Sequence, residues 1–227
     1  MTWPRRLAEI HHDTRPGDVA VVEAESAREN PGGVPSLTDL LVGAGFEPAG
    51  ADTDEPATAT RVRSLPDTVG PGMSLLVCGL NPSLYAADAG VGFARPGNRF
   101  WPAALASGLV TDDRDPLAAL DRSVGMTDLV KRATAKAEEL SADEYRDGLA
   151  RVERLTAWLQ PGAVCFVGLA GWRAAVDRHA TAGVQPSDLG GRPVYVMGST
   201  SGLNAHTTVD DCADHLRAAA KLGAQGR

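Results

Sequence analysis

The stretch LLVCGLNPSLYAADAGVGFARPGNRFWPAALASGL, Leu75–Leu109, decides the fold. Its first four residues, up to Cys78, form an apolar run with the length and bulk of a buried strand. The run ends at Gly79, and Pro82 cannot continue a strand ladder because it has no backbone N–H group. Asn81, just before this proline, is therefore predicted at the carboxyl end of a strand, where open α/β sheets bind their ligands.

Outside this stretch, predicted strands alternate with predicted helices. The strands are continuous apolar runs, which are typical of strands covered on both faces, and the helices show apolar periodicity and capping residues. This pattern predicts an α/β fold, a three-layer α/β/α sandwich with a mainly parallel central sheet. The predicted strands are 74–79, 163–168 and 193–197, and the predicted helices are 98–108, 140–159, one through 172 and 176, and 208–220.

Three separated motifs resemble those of the mismatch-specific uracil/thymine DNA glycosylase family of the uracil-DNA glycosylase superfamily. GLNPS at 79–83 is similar to the family's G-I-N-P-G catalytic motif, and GFARPGNRFW at 92–101 to its base-pocket segment, with the same spacing between them. MGSTSGLNAH at 197–206 resembles a second motif, often N-P-S-G-L. The segment SVGMTDLV at 123–130 is similar to the family's second strand and the turn after it. The resemblance implies the superfamily's fold and a monofunctional glycosylase that hydrolyses the N-glycosidic bond of uracil, or of related damaged or mismatched pyrimidines in DNA, leaving an abasic site.

Asn81 is the main catalytic candidate. Its amide does not titrate near neutral pH, but the amide oxygen can hold a water molecule and stabilise positive charge that develops on the sugar. The resemblance implies this water-positioning role, and it places Thr127 near the same water. It also implies that Phe93 stacks on the extruded base, although an unrelated role in core packing is the alternative for a phenylalanine. The expected base-pocket residues are Leu80, Tyr85, Ala86 and Phe93.

Leu203 is the expected wedge that fills the space left by a flipped base. The expected wedge loop comprises Ser201, Gly202, Leu203 and Asn204. Ser199-Thr200 stands where the family commonly has Asn-Pro, and this pair is expected to loosen the loop. Asn98 is interpreted as a helix cap. The candidate phosphate contacts, each of which could instead be an ordinary surface residue, are Arg95, Arg99, Lys131, Arg132 and His206.

The charge is unevenly distributed. Residues 1–70 hold 6 basic and 12 acidic residues, whereas residues 71–227 hold 16 and 17. We therefore interpret 1–70 as an acidic, partly flexible N-terminal extension without chemistry, and 71–227 as the glycosylase domain. Within the extension, helices are predicted at 3–12 and at 37–42, the second with Ser36 as its cap. Gly50–Thr60 is predicted to be a linker, and His11-His12 a solvated helix end.

Two other functions remain open from the sequence. The first is a catalytically weak or inactive family member that binds damaged DNA, which the Ser199-Thr200 change and the net charge of -7 favour. The second is a nucleotide- or phosphate-binding α/β module. The absence of G-x-x-x-x-G-K-[ST] and of G-x-G-x-x-G after the first strand counts against the second function.

Composition bounds the cofactors and the location. The three cysteines are far apart and form no C-x-x-C pair, so buried free thiols are expected, and no metal or organic cofactor is implied. No apolar run approaches the roughly 20 residues of a membrane span, and the N-terminus lacks the apolar core of a signal peptide. We expect a cytoplasmic, nucleoid-associated bacterial monomer, which binds double-stranded DNA containing a lesion or mismatch and no membrane.

Overall fold

The computed structural model describes residues 2–22, 35–50, 57–204 and 207–226. These residues form a three-stranded antiparallel sheet near the N-terminus and a five-stranded sheet that carries the motifs. None of the helices within the described ranges has the length and apolarity needed to cross a membrane. The elements are α1 Trp3–Asp13, β1 Val19–Val22, α2 Leu37–Gly43, β2 Phe46–Pro48, β3 Ala57–Arg61, β4 Leu75–Gly79, α3 Leu84–Ala89, α4 Phe100–Ser107, α5 Pro116–Asp121, β5 Val124–Asp128, a 3₁₀ turn Ala137–Glu139, α6 Ala142–Leu159, β6 Ala163–Val167, α7 Leu169–Ala175, β7 Gly183–Val184, β8 Val194–Met197 and α8 Val209–Gln225.

The central sheet has the strand order β5-β4-β6-β8-β7, and every pair except β7–β8 is parallel. Strands β4, β6 and β8 are buried along their whole length. In β4, Leu75 and Val77 face one hydrophobic cluster, with α4 and α8, whereas Leu76 and Cys78 face the other, with α6. This alternation places a helical layer on each face. The predicted three-layer sandwich with a mainly parallel sheet is confirmed.

Side-chain caps set the starts of several helices. Ser141 and Glu144 form a reciprocal capping box, so α6 begins at Ala142 rather than at the predicted Leu140. Thr208 and Asp211 form the equivalent box at α8. Ser83 caps α3, a short helix that was not predicted between the two motifs of the central stretch. Each such cap typically stabilises a helix by about 1 kcal/mol.

The N-terminal residues form a packed unit with its own core. Helices α1 and α2 bury Leu7, Leu40 and Leu41 against the three-stranded sheet. Ser36 caps α2 as predicted. The predicted linker at 50–60 is wrong in its second part, because residues 57–60 belong to β3; residues 51–56 lie outside the described ranges.

His11 does not lie at a solvated helix end, because its imidazole is buried. Its Nδ1 lies 2.6 Å from the carbonyl oxygen of Ala44, and its Nε2 contacts the guanidinium of Arg61. Burial, reinforced by the Arg61 charge, lowers the pKa of His11 to about 3. The ring is therefore neutral, and both nitrogens are engaged within the protein.

The N-terminal unit docks onto the domain that carries the motifs. Thr68 and Met126 exchange two backbone hydrogen bonds of 2.9 Å, which extends the central sheet at β5. Trp158 of α6 packs against both the domain core and the N-terminal core. Arg154 forms two hydrogen bonds with Asp39 across the same boundary, at 2.6 and 2.8 Å.

Candidate active site

A cleft of about 250 Å³ opens at the carboxyl ends of β4 and β5. Parallel strands expose their carboxyl ends at the same sheet edge, so the residues that follow these strands converge here. The lining includes three of the predicted base-pocket residues, Leu80, Ala86 and Phe93, together with Asn81. Tyr85 was predicted in the pocket, but its side chain is 51% exposed and lies outside the cleft lining.

Asn81 is held in one orientation by its amide nitrogen. Nδ2 donates to the hydroxyl oxygen of Thr134 at 2.8 Å, to the carbonyl oxygen of Arg132 at 3.0 Å and to that of Pro82 at 3.2 Å. Thr134 is itself fixed, because its backbone pairs with that of Pro82 and Leu84. The amide nitrogen is thus fully engaged, and the amide oxygen is the group left to hold a ligand or water. The sequence did not indicate this role of Thr134.

Phe93 lies between the cleft and the domain core. Its ring stacks on Phe100 with the centroids 4.1 Å apart and the planes 22° apart, so one face is used in packing. Its backbone adopts φ +58°, a left-handed conformation that is unfavourable for an aromatic residue. The indole Nε1 of Trp101 donates to the carbonyl oxygen of Gly92 at 2.8 Å and holds this turn. The two roles considered for Phe93, core packing and pocket lining, therefore coexist.

Asp128 lines the same cleft and was missed in the sequence. It is the last residue of β5 and pairs directly with Gly79 in the parallel register. A side chain at 79 would collide with the Asp128 carboxylate and would come within 3.3 Å of the Phe93 ring, which explains the glycine. An acidic residue at the carboxyl end of a strand next to β4 was the signal that could have identified it.

The pKa of the Asp128 carboxyl is raised to about 6. Burial is the main cause; the Asp67 charge adds to it, whereas the Lys131 and Arg151 charges oppose it. The group therefore titrates close to neutral pH and can accept a proton from water at pH 7. A carboxylate of this kind that lines the same cleft as a fixed amide is suited to activating a water molecule.

A buried ionic network lies behind this pair. Asp67 accepts hydrogen bonds from Lys131 at 2.9 Å, Arg151 at 2.6 Å and the Thr127 hydroxyl at 2.6 Å. Arg151 also donates to the carbonyl oxygen of Asp128 at 2.8 Å. Burial alone would raise the pKa of Asp67, but the charges of Arg151 and Lys131 hold it below its ordinary value, so the carboxylate stays ionised.

The network corrects two site predictions. Lys131 cannot contact a DNA phosphate in this conformation, because its side chain is buried and paired with Asp67. The hydroxyl of Thr127 donates to Asp67 and accepts from Arg151, rather than facing the Asn81 cleft. Both residues instead support the strand end that carries Asp128.

The expected wedge loop projects from the cleft rim. Leu203 is 84% exposed, so its side chain contributes little to the packing of the protein. Arg99 holds the loop from below, because its backbone N–H donates to the carbonyl oxygen of Thr200 and its guanidinium to that of Ser201, both at 2.9 Å. Gly202 is required by the close approach of Gly97, whose carbonyl oxygen would lie 2.8 Å from a side chain there.

The Ser199-Thr200 pair does not leave the loop without support. Thr200 is buried, and the Ser199 hydroxyl accepts the backbone N–H of Ser201 at 3.2 Å. Asn204 donates from its amide to the carbonyl oxygen of Ser199 at 3.2 Å, which closes the loop. Hydrogen bonds therefore provide the organisation that the expected proline would otherwise supply.

The candidate phosphate contacts differ in their environments. Arg95 is exposed between the cleft and a neighbouring groove of about 260 Å³ that runs past Leu203. Arg99 is engaged with the wedge loop, and Arg132 is paired with Glu144 at 2.6 and 3.0 Å. The hydrogen bond from Arg132 lowers the pKa of Glu144 to about 2. His206 lies outside the described residues.

Asn98 was expected to be the N-cap of the helix, but the helix α4 begins at Phe100 and its N-cap is Arg99, one residue later. The side-chain oxygen of Asn98 accepts the backbone N–H of Phe100 at 2.9 Å and so supports the turn that enters the helix. Within the described ranges, the three cysteines are free and buried, and no group of three His, Cys, Asp or Glu side chains is arranged to hold a metal ion.

Residues 66–223 match a family model, the Uracil DNA glycosylase superfamily. The matched region contains the central sheet, the Asn81–Asp128 cleft and the wedge loop. It begins at Pro66 and so includes Asp67 of the buried network.

Proposed function

The chain belongs to the uracil DNA glycosylase superfamily, whose members are DNA glycosylases, and we propose that it is a monofunctional member acting on uracil or a related damaged or mismatched pyrimidine in DNA. The anchored Asn81 amide carries this proposal, because it presents an oxygen to a cleft at the carboxyl end of β4. The products would be the free base and an abasic site in an unbroken strand.

In the proposed reaction, the bond between C1′ of the sugar and the base nitrogen breaks, and its electron pair leaves with the base. Positive charge then develops on the sugar, which the Asn81 oxygen and the ionised Asp128 carboxylate stabilise. A water oxygen forms the new bond to C1′, and Asp128 accepts the proton that this water loses. An electron-poor pyrimidine such as uracil leaves more easily than a normal base, because its anion is more stable.

Two features support a hydrolytic route without strand cleavage. The attacking group would be water, held by an amide that does not titrate. Lys131, the first lysine after β5, is buried in its ion pair with Asp67. It is therefore not available to form a Schiff base with the sugar.

The raised pKa of Asp128 predicts the pH dependence of turnover. If Asp128 must be ionised, the rate should fall as pH decreases through about 6, and at pH 5 it should be roughly tenfold below its plateau. In Asp128→Asn this acidic limb should disappear, and the rate at pH 7.5 should fall at least about tenfold. Single-turnover rates between pH 4.5 and 8.5 measure both effects. If the rate of Asp128→Asn still falls at low pH with the same midpoint as the wild type, the fall is due to the titration of another group.

Leu203 predicts a difference between duplex and single-stranded substrates. Leu203→Ala should slow excision from a paired duplex by raising the activation free energy by a few kcal/mol at most, which is the scale of unstacking one base step. Excision from a single-stranded lesion should change much less. The melting temperature should not change, because the side chain is 84% exposed. Equal losses on both substrates would show that Leu203 does not hold the duplex stack open.

The proposal is tested by incubating the protein with labelled duplexes that each contain one lesion, followed by alkali, which breaks the strand at abasic sites. Breaks that appear with a lesion and require alkali are the expected result. Lesion-dependent binding without breaks would favour the catalytically weak alternative, whereas the absence of lesion-dependent binding would favour a nucleotide-binding module.

A further inference from the structure

A second, smaller cavity lies next to the base cleft. Its volume is about 30 Å³, and its lining includes His12 from α1, Leu65 and Pro66. This volume accommodates about one water molecule. The residues that line both the cavity and the cleft, and so form the partition between them, are Leu65, Gly92, Phe93 and Asp128.

Leu65 is part of this partition, although it lies outside the sequence region that matches the family. It precedes the first matched residue, Pro66, and its side chain is 5% exposed. One methyl carbon lies 3.7 Å from the position that a side chain at Gly92 would occupy, which places it against the turn that carries Phe93. Because Asn81, Phe93 and Leu65 line the same cleft, a base stacked near Phe93 would lie close to Leu65.

The segment around Leu65 is firmly held. The Ser64 hydroxyl donates to the carbonyl oxygen of Lys131 at 2.5 Å, and the backbone N–H of Asp67 donates to that of Gly43 at 2.7 Å. Arg63 forms two hydrogen bonds with Asp88 of α3, the helix that also contributes to the cleft, one of them 2.7 Å long. Because the residues on both sides of Leu65 are fixed in this way and its own side chain is buried, Leu65 cannot easily move aside for a larger ligand.

We propose that Leu65 limits the size of the base that the cleft accepts and excludes pyrimidines that carry an additional fused ring. This inference rests on the proposed function and adds a specificity-determining residue to it. Replacing Leu65 with alanine removes three carbon atoms from the partition and joins the cleft to the cavity behind it. The enlarged space lies beside Phe93, so a base stacked there would gain room for an additional ring.

The experiment compares two duplexes, one with 2′-fluoro-deoxyuridine and one with the 2′-fluoro nucleoside of ethenocytosine, a fused bicyclic base. The fluorine disfavours positive charge on the sugar, so these lesions are bound but not cleaved. We expect Leu65→Ala to shift the ratio of the two Kd values toward the bicyclic base by about tenfold or more, the scale on which pocket size discriminates ligands. Leu65→Val should give a smaller shift in the same direction and removes less of the side chain if Leu65→Ala folds poorly.

Leu41→Ala is the matched control, since Leu41 is a buried leucine of the same N-terminal unit that lines neither cavity. The ratio of the two Kd values for Leu41→Ala should equal that of the wild type. An unchanged ratio in folded Leu65→Ala or Leu65→Val, or an equal shift in Leu41→Ala, would overturn the inference.

Excision of unmodified uracil by the wild type, measured in parallel, separates the two proposals. A Kd ratio that shifts in the Leu65 variants without any excision would retain the size limit and reject the proposed activity. Excision of uracil with no shift in the Kd ratio would support the proposed activity and reject the size limit set by Leu65. Equal binding of lesion and undamaged duplexes by every variant would reject both.

Discussion

Asn81→Ala should reduce base excision by about 10²-fold or more, the scale expected for the loss of one pre-organised polar group. The cause would be the loss of the oxygen that holds water and faces the developing charge on the sugar. Binding to lesion-containing duplex should stay close to that of the wild type, because stacking and phosphate contacts involve other residues. Single-turnover excision and a Kd for a non-cleavable lesion duplex measure the two quantities separately.

The control for this variant is Gln185→Ala. The Gln185 amide also donates to two backbone carbonyl oxygens, those of Thr181 and Gly183, both at 2.9 Å, but it lies outside the cleft lining. Its removal should leave excision unchanged. Wild-type excision in Asn81→Ala, with the same melting temperature, would remove Asn81 from the mechanism.

Asp67→Ala should destabilise the folded protein by about 3–5 kcal/mol, because it leaves Lys131 and Arg151 buried without a counter-charge. The free energy of unfolding in urea measures this loss. Asp88→Ala removes an exposed partner of Arg63 and should leave the unfolding midpoint close to that of the wild type. Equal midpoints for Asp67→Ala and Asp88→Ala would show that the network does not stabilise the fold.

The same network bears on the domain boundary. A division after residue 70 would separate Asp67 from Lys131 and Arg151, and Thr68 from its backbone partner Met126. We propose that the functional unit begins before residue 61, since Leu65 lines the cleft and Ser64 and Asp67 form hydrogen bonds with the central domain. Deleting residues 1–70 should therefore destabilise the protein, although the acidic composition of this segment led us to interpret it as an extension separate from the glycosylase domain.

Local features of the sequence predicted much of the fold. The run Leu75–Cys78 is short, apolar and ended by Gly and Pro, so it could be identified as a buried strand without knowledge of its partners. The cap Ser36 identified the start of α2, because a cap acts on backbone groups only two or three residues away.

The remaining features depend on contacts between distant residues. Asp67 joins Thr127, Lys131 and Arg151 over separations of 60 to 84 residues, and no local pattern encodes such a pairing. Lys131 therefore resembled an exposed basic residue. Asp128 becomes a candidate base only when the parallel register places it beside Gly79, and the short strand β3 carries too little apolar alternation to be distinguished from a linker.

The most direct measurement of the central claim is the release of free base from a labelled duplex with a single uracil, compared between the wild type, Asn81→Ala and Gln185→Ala. The account predicts that the wild type and Gln185→Ala release free uracil and leave an intact strand that breaks only after alkali, whereas Asn81→Ala releases it at least about 10²-fold more slowly. Repeating the assay with a panel of damaged and mismatched pyrimidines extends it to the proposed substrate class. No release of any of these bases by the folded wild type, or equal release by Asn81→Ala, would contradict the account.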